Sequence, residues 1–107
     1  LTNISLVENQ FDLPQVFGNF QVNELLELHK ILNLHNIDIK KIQKYYYFKS
    51  NRWDIEYGNN TIVMLPSFNL EKSLKNYKSF IKLEKIRPGQ IIDLRVKNKI
   101  IVSNAKK

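Results

Sequence analysis

A short alternating run around Trp53 places the strongest constraint on the fold of this chain. Trp53, Ile55 and Tyr57 alternate with charged residues, and Gly58-Asn59-Asn60 separates them from the β-branched run at 61–65. Alternation with period two predicts a half-buried strand, and Gly and Asn tolerate the positive φ of a tight turn. The segment therefore predicts a hairpin with three large side chains on one face. Because burial of each contributes about 1.5–3 kcal/mol, the hairpin needs a second layer, most simply helices.

Two amphipathic segments can supply that layer. The first predicted helix runs from about 22 to 34, with Asn23 as its N-cap. Its apolar stripe consists of Leu25, Leu26, Leu28, His29, Ile31 and Leu32. The second helix follows Pro66 and is capped by Asn69. Its stripe repeats at i, i+4, i+7 and i+11 in Leu70, Leu74, Tyr77 and Ile81, and lysines lie on or near the opposite face.

Further strands are predicted around these elements. Weak alternation indicates a strand at 2–7, followed by a loop through 11–18, and an alternating stretch at 37–42 leads into Tyr45–Phe48. With the central hairpin and a closing hairpin, the order is strand, helix, three strands, helix, two strands. This order predicts an α+β fold, with a mixed, largely antiparallel sheet of about five to seven strands and two helices packed on one side.

The closing hairpin is the segment most suggestive of function. Residues 92, 94 and 96 share one face of its first arm, while Asp93 and Arg95 share the other. A turn at 97–99 returns the chain into the β-branched run 100–102, and only a polar tail follows. No later strand is predicted to cover this last one. An exposed strand edge can pair with another chain.

Composition limits the class of protein. A chain of 107 residues with 43% apolar residues fits one domain, and no apolar run approaches the ~20 residues of a membrane helix. Because it begins with Leu1, we expect a piece of a longer chain. The net charge of +7 favours nucleic acid, anionic lipid or an acidic protein face, although an AT-rich genome would also enrich lysine. The lack of cysteine excludes disulfides, thiolate metal sites and cysteine nucleophiles.

Catalysis is the least expected activity. His29 and His35 are six residues apart, which is not the spacing of a zinc pair on a helix, and the chain has no G-x-S-x-G motif. Three glycines do not provide a glycine-rich phosphate loop. We therefore expect no enzyme, no metal, no cofactor and no small-molecule substrate.

Residues 40–53 offer an alternative function. Five basic residues interleave there with three consecutive tyrosines, Tyr45, Tyr46 and Tyr47, as in sheets that bind single-stranded nucleic acid. The basic residues are Lys40, Lys41, Lys44, Lys49 and Arg52. Three consecutive tyrosines on a strand also expose at least one by geometry alone, so a nucleic-acid partner is kept only as the alternative.

The order of these signals resembles the C-terminal β domain of the FtsQ/DivIB family of bacterial division proteins. Four landmarks carry the resemblance: Leu13-Pro14 with Gly18, the Arg52–Ile55 segment before its turn, a lysine-rich helix, and Ile92-Asp93-Leu94-Arg95. The match covers almost the whole chain as a single extracytoplasmic domain. It implies a POTRA domain and one membrane helix upstream, with this domain on the periplasmic side of the cytoplasmic membrane at the division septum.

The resemblance also implies a function without catalysis. Family members are divisome scaffolds that join FtsB and FtsL, contact other division proteins and help regulate septal peptidoglycan synthesis. In the family FtsB adds a strand beside the last strand, which corresponds here to about 99–103. The implied partner-binding residues are Lys49, Arg52, Arg95, Val96, Asn98, Lys99, Ile100, Ile101, Val102 and Ser103. Val96 and Lys99 stand where the family often has an aromatic residue and a glycine.

Overall fold

The computed structural model describes residues 14–83, 87–97 and 99–104. These residues form one six-stranded sheet whose spatial order follows the chain order. The strands are β1 (Gln15–Phe17), β2 (Ile42–Phe48), β3 (Arg52–Tyr57), β4 (Ile62–Met64), β5 (Gln90–Asp93) and β6 (Ile101–Asn104). The helices are α1 (Val22–Leu34) and α2 (Leu70–Leu83), with a short 3-10 helix at Ile39–Lys41. The α+β fold with a mixed, mostly antiparallel sheet is therefore confirmed.

Two of the five strand pairs are parallel, β1 with β2 and β4 with β5, and each parallel pair is joined through a helix. Antiparallel strands can be joined by a tight turn, whereas parallel neighbours need a crossover, which is the role of α1 and α2. Both crossovers advance in the same direction along the sheet. Since such connections are almost always right-handed, both helices belong on the same face.

A continuous row of side chains marks the face covered by the helices. Val16, Tyr45, Ile55, Val63 and Ile92 lie opposite one another on β1 to β5, and all five are buried. They form one cluster with the buried residues of α1 and α2. The core therefore lies between this side of the sheet and the helices, and the other side of the sheet carries the polar and partly exposed residues of each strand.

The central hairpin and the second helix agree with the sequence prediction. Trp53 and Ile55 are buried in the core, and Tyr57 packs against it. In α2, Leu74 and Tyr77 are buried, and Leu70 and Ile81 pack at the border of the core. The helix begins directly after Asn69, whose carbonyl accepts a hydrogen bond from the Ser73 N–H. Periodicity was sufficient here because both elements present one face to a single layer.

The first helix needs two corrections. Its N-cap is Gln21 rather than Asn23, and the Gln21 N–H donates to Glu24 Oε1 at 2.7 Å. A carboxylate three residues into a helix satisfies one of the free amides at the start, as in a capping box. Leu26 is 60% exposed instead of buried, because Leu25 and Leu28 already occupy the side that faces the sheet.

The strand boundaries also need correction. The predicted strand at 2–7 lies outside the described residues. The predicted loop at 11–18 contains β1. The stretch at 37–42 contains the 3-10 helix and ends in the first residue of β2, and the Asp38 carboxylate caps the 3-10 helix by accepting the Lys40 N–H at 3.0 Å. The closing hairpin has shorter arms than predicted: the first ends at Asp93, the second begins at Ile101, and Val96 is exposed in the connection.

Candidate functional site

Strand β6 forms one edge of the sheet. It pairs antiparallel with β5, placing Ile101 opposite Asp93 and Val102 opposite Ile92, and no strand lies on its other side among the described residues. Val102 is partly buried against the core, while Ile101 on the opposite face is 45% exposed. An edge strand presents N–H and C=O groups without partners, so β6 can template an incoming strand.

The residues before β6 form a turn rather than part of the strand. The Lys99 N–H donates to the Val96 carbonyl at 3.1 Å, which closes the predicted turn. Lys99 and Val96 are exposed, Ile100 packs partly against the core, and Asn98 lies outside the described residues. The strand along which docking is predicted, at about 99–103, spans 101–104 in the structure, because pairing with β5 starts only at Ile101.

Arg95 already has a carboxylate partner in its own strand region. Its Nε donates to Asp93 Oδ1 and its Nη2 to Asp93 Oδ2, both at 2.9 Å. This two-pronged geometry is the strong form of an arginine–carboxylate pair. The hydrogen bond from Arg95 lowers the pKa of Asp93 below its ordinary value. An acidic partner would have to compete with Asp93 for this guanidinium.

Arg52 is similarly occupied. Its Nη1 donates to Asp54 Oδ1 at 2.6 Å, and its guanidinium lies 4.2 Å from the centre of the Phe48 ring. Burial raises the pKa of Asp54, while the charges of Arg52 and Arg95 act in the opposite direction. Because the charge of Arg95 also lowers the pKa of Asp54, we treat the two ion pairs as one charge cluster on the open face of the sheet. It consists of Arg52, Asp54, Asp93 and Arg95.

Lys49 and Arg52 do not lie at the β6 edge. Lys49 is in the turn between β2 and β3, and Arg52 begins β3. Three strand spacings separate β3 from β6, which is about 14 Å. Of the predicted partner-binding residues, Arg95, Val96 and residues 99–103 lie at or next to the β6 edge, whereas Lys49 and Arg52 lie away from that edge, although Arg52 shares the charge cluster with Arg95.

A small basic cleft near the start of β6 was missed by sequence reasoning. It has a volume of about 60 Å³ and lies between the loop that precedes α2 and the chain that follows β5. Phe68, Lys72, Arg95 and Lys97 contribute to its wall, and Phe68 is 72% exposed. An apolar residue between Pro66 and the helix cap was the only sequence signal, since the turn that approaches Phe68 comes from a distant part of the chain.

The three consecutive tyrosines do not share one surface. Tyr45 is buried, and its hydroxyl lies 2.9 Å from His29 Nε2. Tyr46 faces the open side, stacks on Phe17 with ring centres 5.3 Å apart, and donates to Glu56. Burial, reinforced by Glu56, raises the pKa of Tyr46 to about 12. These contacts engage the rings within the fold instead of presenting a stacking platform.

The hydroxyl of Tyr47 points to the helix side. It donates to Glu24 Oε2 at 2.8 Å and lies 2.7 Å from Asn51 Oδ1, and its ring packs on Trp53 with centres 4.8 Å apart. Tyr47 therefore joins α1 to the β2–β3 hairpin. The basic residues of 40–53 are divided as well, since Lys40 and Lys41 belong to the 3-10 helix and Lys49 to the turn at the other end of β2.

The described residues offer neither a metal site nor a membrane-spanning helix. Among residues 14–83, 87–97 and 99–104, no group of three or more His, Cys, Asp or Glu residues could hold a metal ion. Within the same ranges, neither helix is long and apolar enough to cross a membrane.

Comparison with known proteins did not identify a related protein. No protein-family model matches the chain, and no curated protein matches it either.

Proposed function

We propose that this domain is a noncatalytic divisome scaffold of the FtsQ/DivIB type. It receives an extended segment of an FtsB-like protein, in association with FtsL, along β6, and so helps regulate septal peptidoglycan synthesis. In the whole protein it would lie on the periplasmic side of the cytoplasmic membrane at the septum, held by a single-pass anchor upstream. The observation that carries the proposal is the four-residue edge strand with an open side.

The main chain of β6 supplies most of the recognition in this proposal. Strand addition gains affinity from backbone hydrogen bonds, and alternate side chains then select the partner. A partner strand would place alternate side chains beside Val102, near the core, and beside Ile101 and Ser103 on the open face. A segment that alternates apolar and polar residues fits this edge.

Charge favours an acidic flank on the partner. The basic cleft lined by Lys72, Arg95 and Lys97 lies at the end of β6 where Ile101 pairs with Asp93. Because Arg95 is already paired with Asp93, the two lysines are the cations that contribute most to attraction, and their effect is screened by salt.

A proline scan of 101–104 tests the site. Successive N–H groups of a strand point to opposite sides, so alternate positions donate outward. Proline removes the N–H, and at outward positions it should leave the domain folded while abolishing binding of an FtsB-like partner. At inward positions it should also disrupt pairing with β5. Binding would be measured by calorimetry, and folding by Trp53 fluorescence.

Ile101→Ala is the matched control, because it removes an exposed side chain and keeps the backbone groups. We expect it to weaken binding by no more than a few-fold. If all four proline variants fold and bind the partner with unchanged affinity, the docking edge is wrong. If Ile101→Ala abolishes binding as completely as proline, recognition depends on a side-chain pocket and not on strand addition.

A further inference from the structure

A second cleft, separate from β6, opens where four segments meet. The end of α1, the 3-10 helix, the β3–β4 turn and the second half of α2 enclose a volume of about 470 Å³. Lys41, Tyr57 and Asn59 also border an adjoining cavity of about 400 Å³. Small-ligand pockets typically measure about 300–1,000 Å³ and lie where several elements converge. The two cavities together have the size of such a pocket, and we call them the double cleft.

Two tyrosine side chains line the double cleft. Tyr57 comes from the end of β3 and Tyr77 from α2, and Tyr77 is buried. Burial raises the pKa of both hydroxyls, and interaction with Tyr77 raises that of Tyr57 further. The two hydroxyls also interact with each other, and each keeps an oxygen that can accept a hydrogen bond from a ligand hydroxyl. The rings, with Ile37 and Ile81, provide apolar wall beside these polar atoms.

Among the described residues, no ion pair holds the lysines of the double cleft. Lys78 Nζ donates to the Asn36 carbonyl at 3.1 Å, so a neutral group positions the ammonium. Among residues 14–83, 87–97 and 99–104, the ion pairs involve His35, Arg52 and Arg95, and none involves a lysine. The lysines of the double cleft are thus not paired with the acidic side chains that the structure describes.

The double cleft has an excess of positive charge. Three lysines, Lys40, Lys41 and Lys78, border it against one acidic residue, Asp38. One oxygen of the Asp38 carboxylate already accepts the Lys40 N–H. Three cations against one anion leave two positive charges, which matches the charge of about −2 on a phosphate monoester near pH 7. Lysine binds phosphate as a point charge and does not require the planar geometry of arginine.

We propose that the double cleft binds a sugar phosphate. The phosphate lies between Lys41 and Lys78, and the hydroxylated ring lies against Tyr57 and Tyr77. Asn59 and Gln43 border the adjoining cavity and can bond ring hydroxyls. This inference uses no residue of β6 and is independent of the proposed division function.

Glucose 6-phosphate is the probe for this site, followed by two-dimensional NMR of the ¹⁵N-labelled domain. We expect saturable shifts confined to residues 36–43, 57–61 and 77–81. Lys41→Met and Lys78→Met should each weaken binding about tenfold, the effect of losing one charged hydrogen bond. Lys75→Met is the matched control, since Lys75 is exposed on α2 and borders neither cavity. It should leave the affinity unchanged.

Glucose and inorganic phosphate separate the two halves of the ligand. Glucose should give no shifts, and inorganic phosphate should bind at the same residues about tenfold more weakly than the sugar phosphate. Equal affinity for inorganic phosphate overturns the assignment of the ring. Shifts spread over all surface lysines, or an equal loss in Lys75→Met, overturn the site as a whole. Lys41 is exposed, so its variant keeps the test valid even if Lys78→Met perturbs α2.

Discussion

Gly18 offers the sharpest test of how β1 joins the sheet. Its φ of +114° lies outside the region that residues with a side chain adopt easily, even in left-handed turns. A Cβ at this position would lie 2.5 Å from the Tyr47 carbonyl oxygen and 3.0 Å from the Tyr47 Cβ. The obstacle is largely backbone of β2, which cannot rotate away. Gly18→Ala should therefore push β1 away from β2.

The magnitude follows from two costs. The unfavourable φ costs about 1–3 kcal/mol, and overpacking against fixed atoms costs about 1–3 kcal/mol more. Replacing glycine also reduces the conformational freedom of the unfolded chain, which stabilises the folded state by about 0.4–1 kcal/mol. We expect the free energy of unfolding to fall by about 3–4 kcal/mol in Gly18→Ala, a large part of the stability of a small domain.

Gly89→Ala is a matched control. Gly89 also has a positive φ, +78°, but a Cβ there would meet no described residue within 4 Å. Gly89→Ala should lower the free energy of unfolding by about 1 kcal/mol, which is the cost of a left-handed backbone conformation for alanine minus the stabilisation from a less flexible unfolded chain. Urea unfolding followed by fluorescence of the single tryptophan, Trp53, measures both variants. If the two alanines cost the same, close packing of Gly18 on β2 is refuted.

Three further perturbations test the core and the titrating groups. Leu74→Ala should lower the free energy of unfolding in urea by about 2–5 kcal/mol, because Leu74 is fully buried. Leu83→Ala, at a position 84% exposed, should change it by less than about 0.5 kcal/mol. Similar losses in the two variants would contradict the assignment of Leu74 to the core. Burial lowers the pKa of His29, so the unfolded chain binds the proton more readily and stability should fall as the pH drops below about 6.5. In His29→Gln the difference in urea midpoint between pH 7.5 and 5.5 should shrink, and an unchanged difference would exclude His29 as its source. Arg52→Met leaves the Asp54 carboxylate without its 2.6 Å partner and should cost about 2 kcal/mol at pH 7. That deficit should diminish as the pH falls through the raised pKa of Asp54, where the carboxylate is protonated, and a loss independent of pH would point to packing on Phe48 instead.

Local periodicity predicted the elements that have a pattern of their own. The stripe of α2 and the alternation in β3 each satisfy one buried face, so they were readable from the sequence. Leu26 was misassigned because adjacent leucines leave the position of the apolar stripe ambiguous by one residue. Strand β1 was missed because its three residues carry no pattern, and its partner β2 follows only after α1.

The edge position of the last strand was predictable, but the electrostatics around it were not. Chain order alone suggested that the last strand lies at an edge. Whether Arg95 and Arg52 are available to a partner depends on where Asp93 and Asp54 place their carboxylates, and alternating acids and bases on a strand do not determine this. In the strand-addition hypothesis, recognition therefore depends on the backbone of β6 and the lysines beside it more than on the two guanidinium groups.

The two edges of the sheet differ in a way that favours β6 as the docking strand. Strand β1 has only three residues, and its central residue, Val16, is fully buried. Strand β6 has four residues, all at least partly exposed. Short strands and flanking lysines are common protections of an edge against aggregation, and Lys97 and Lys99 fit that role too. Lys97 also lines the cleft beside β6, so it can discourage unselected chains while attracting a segment with an acidic flank.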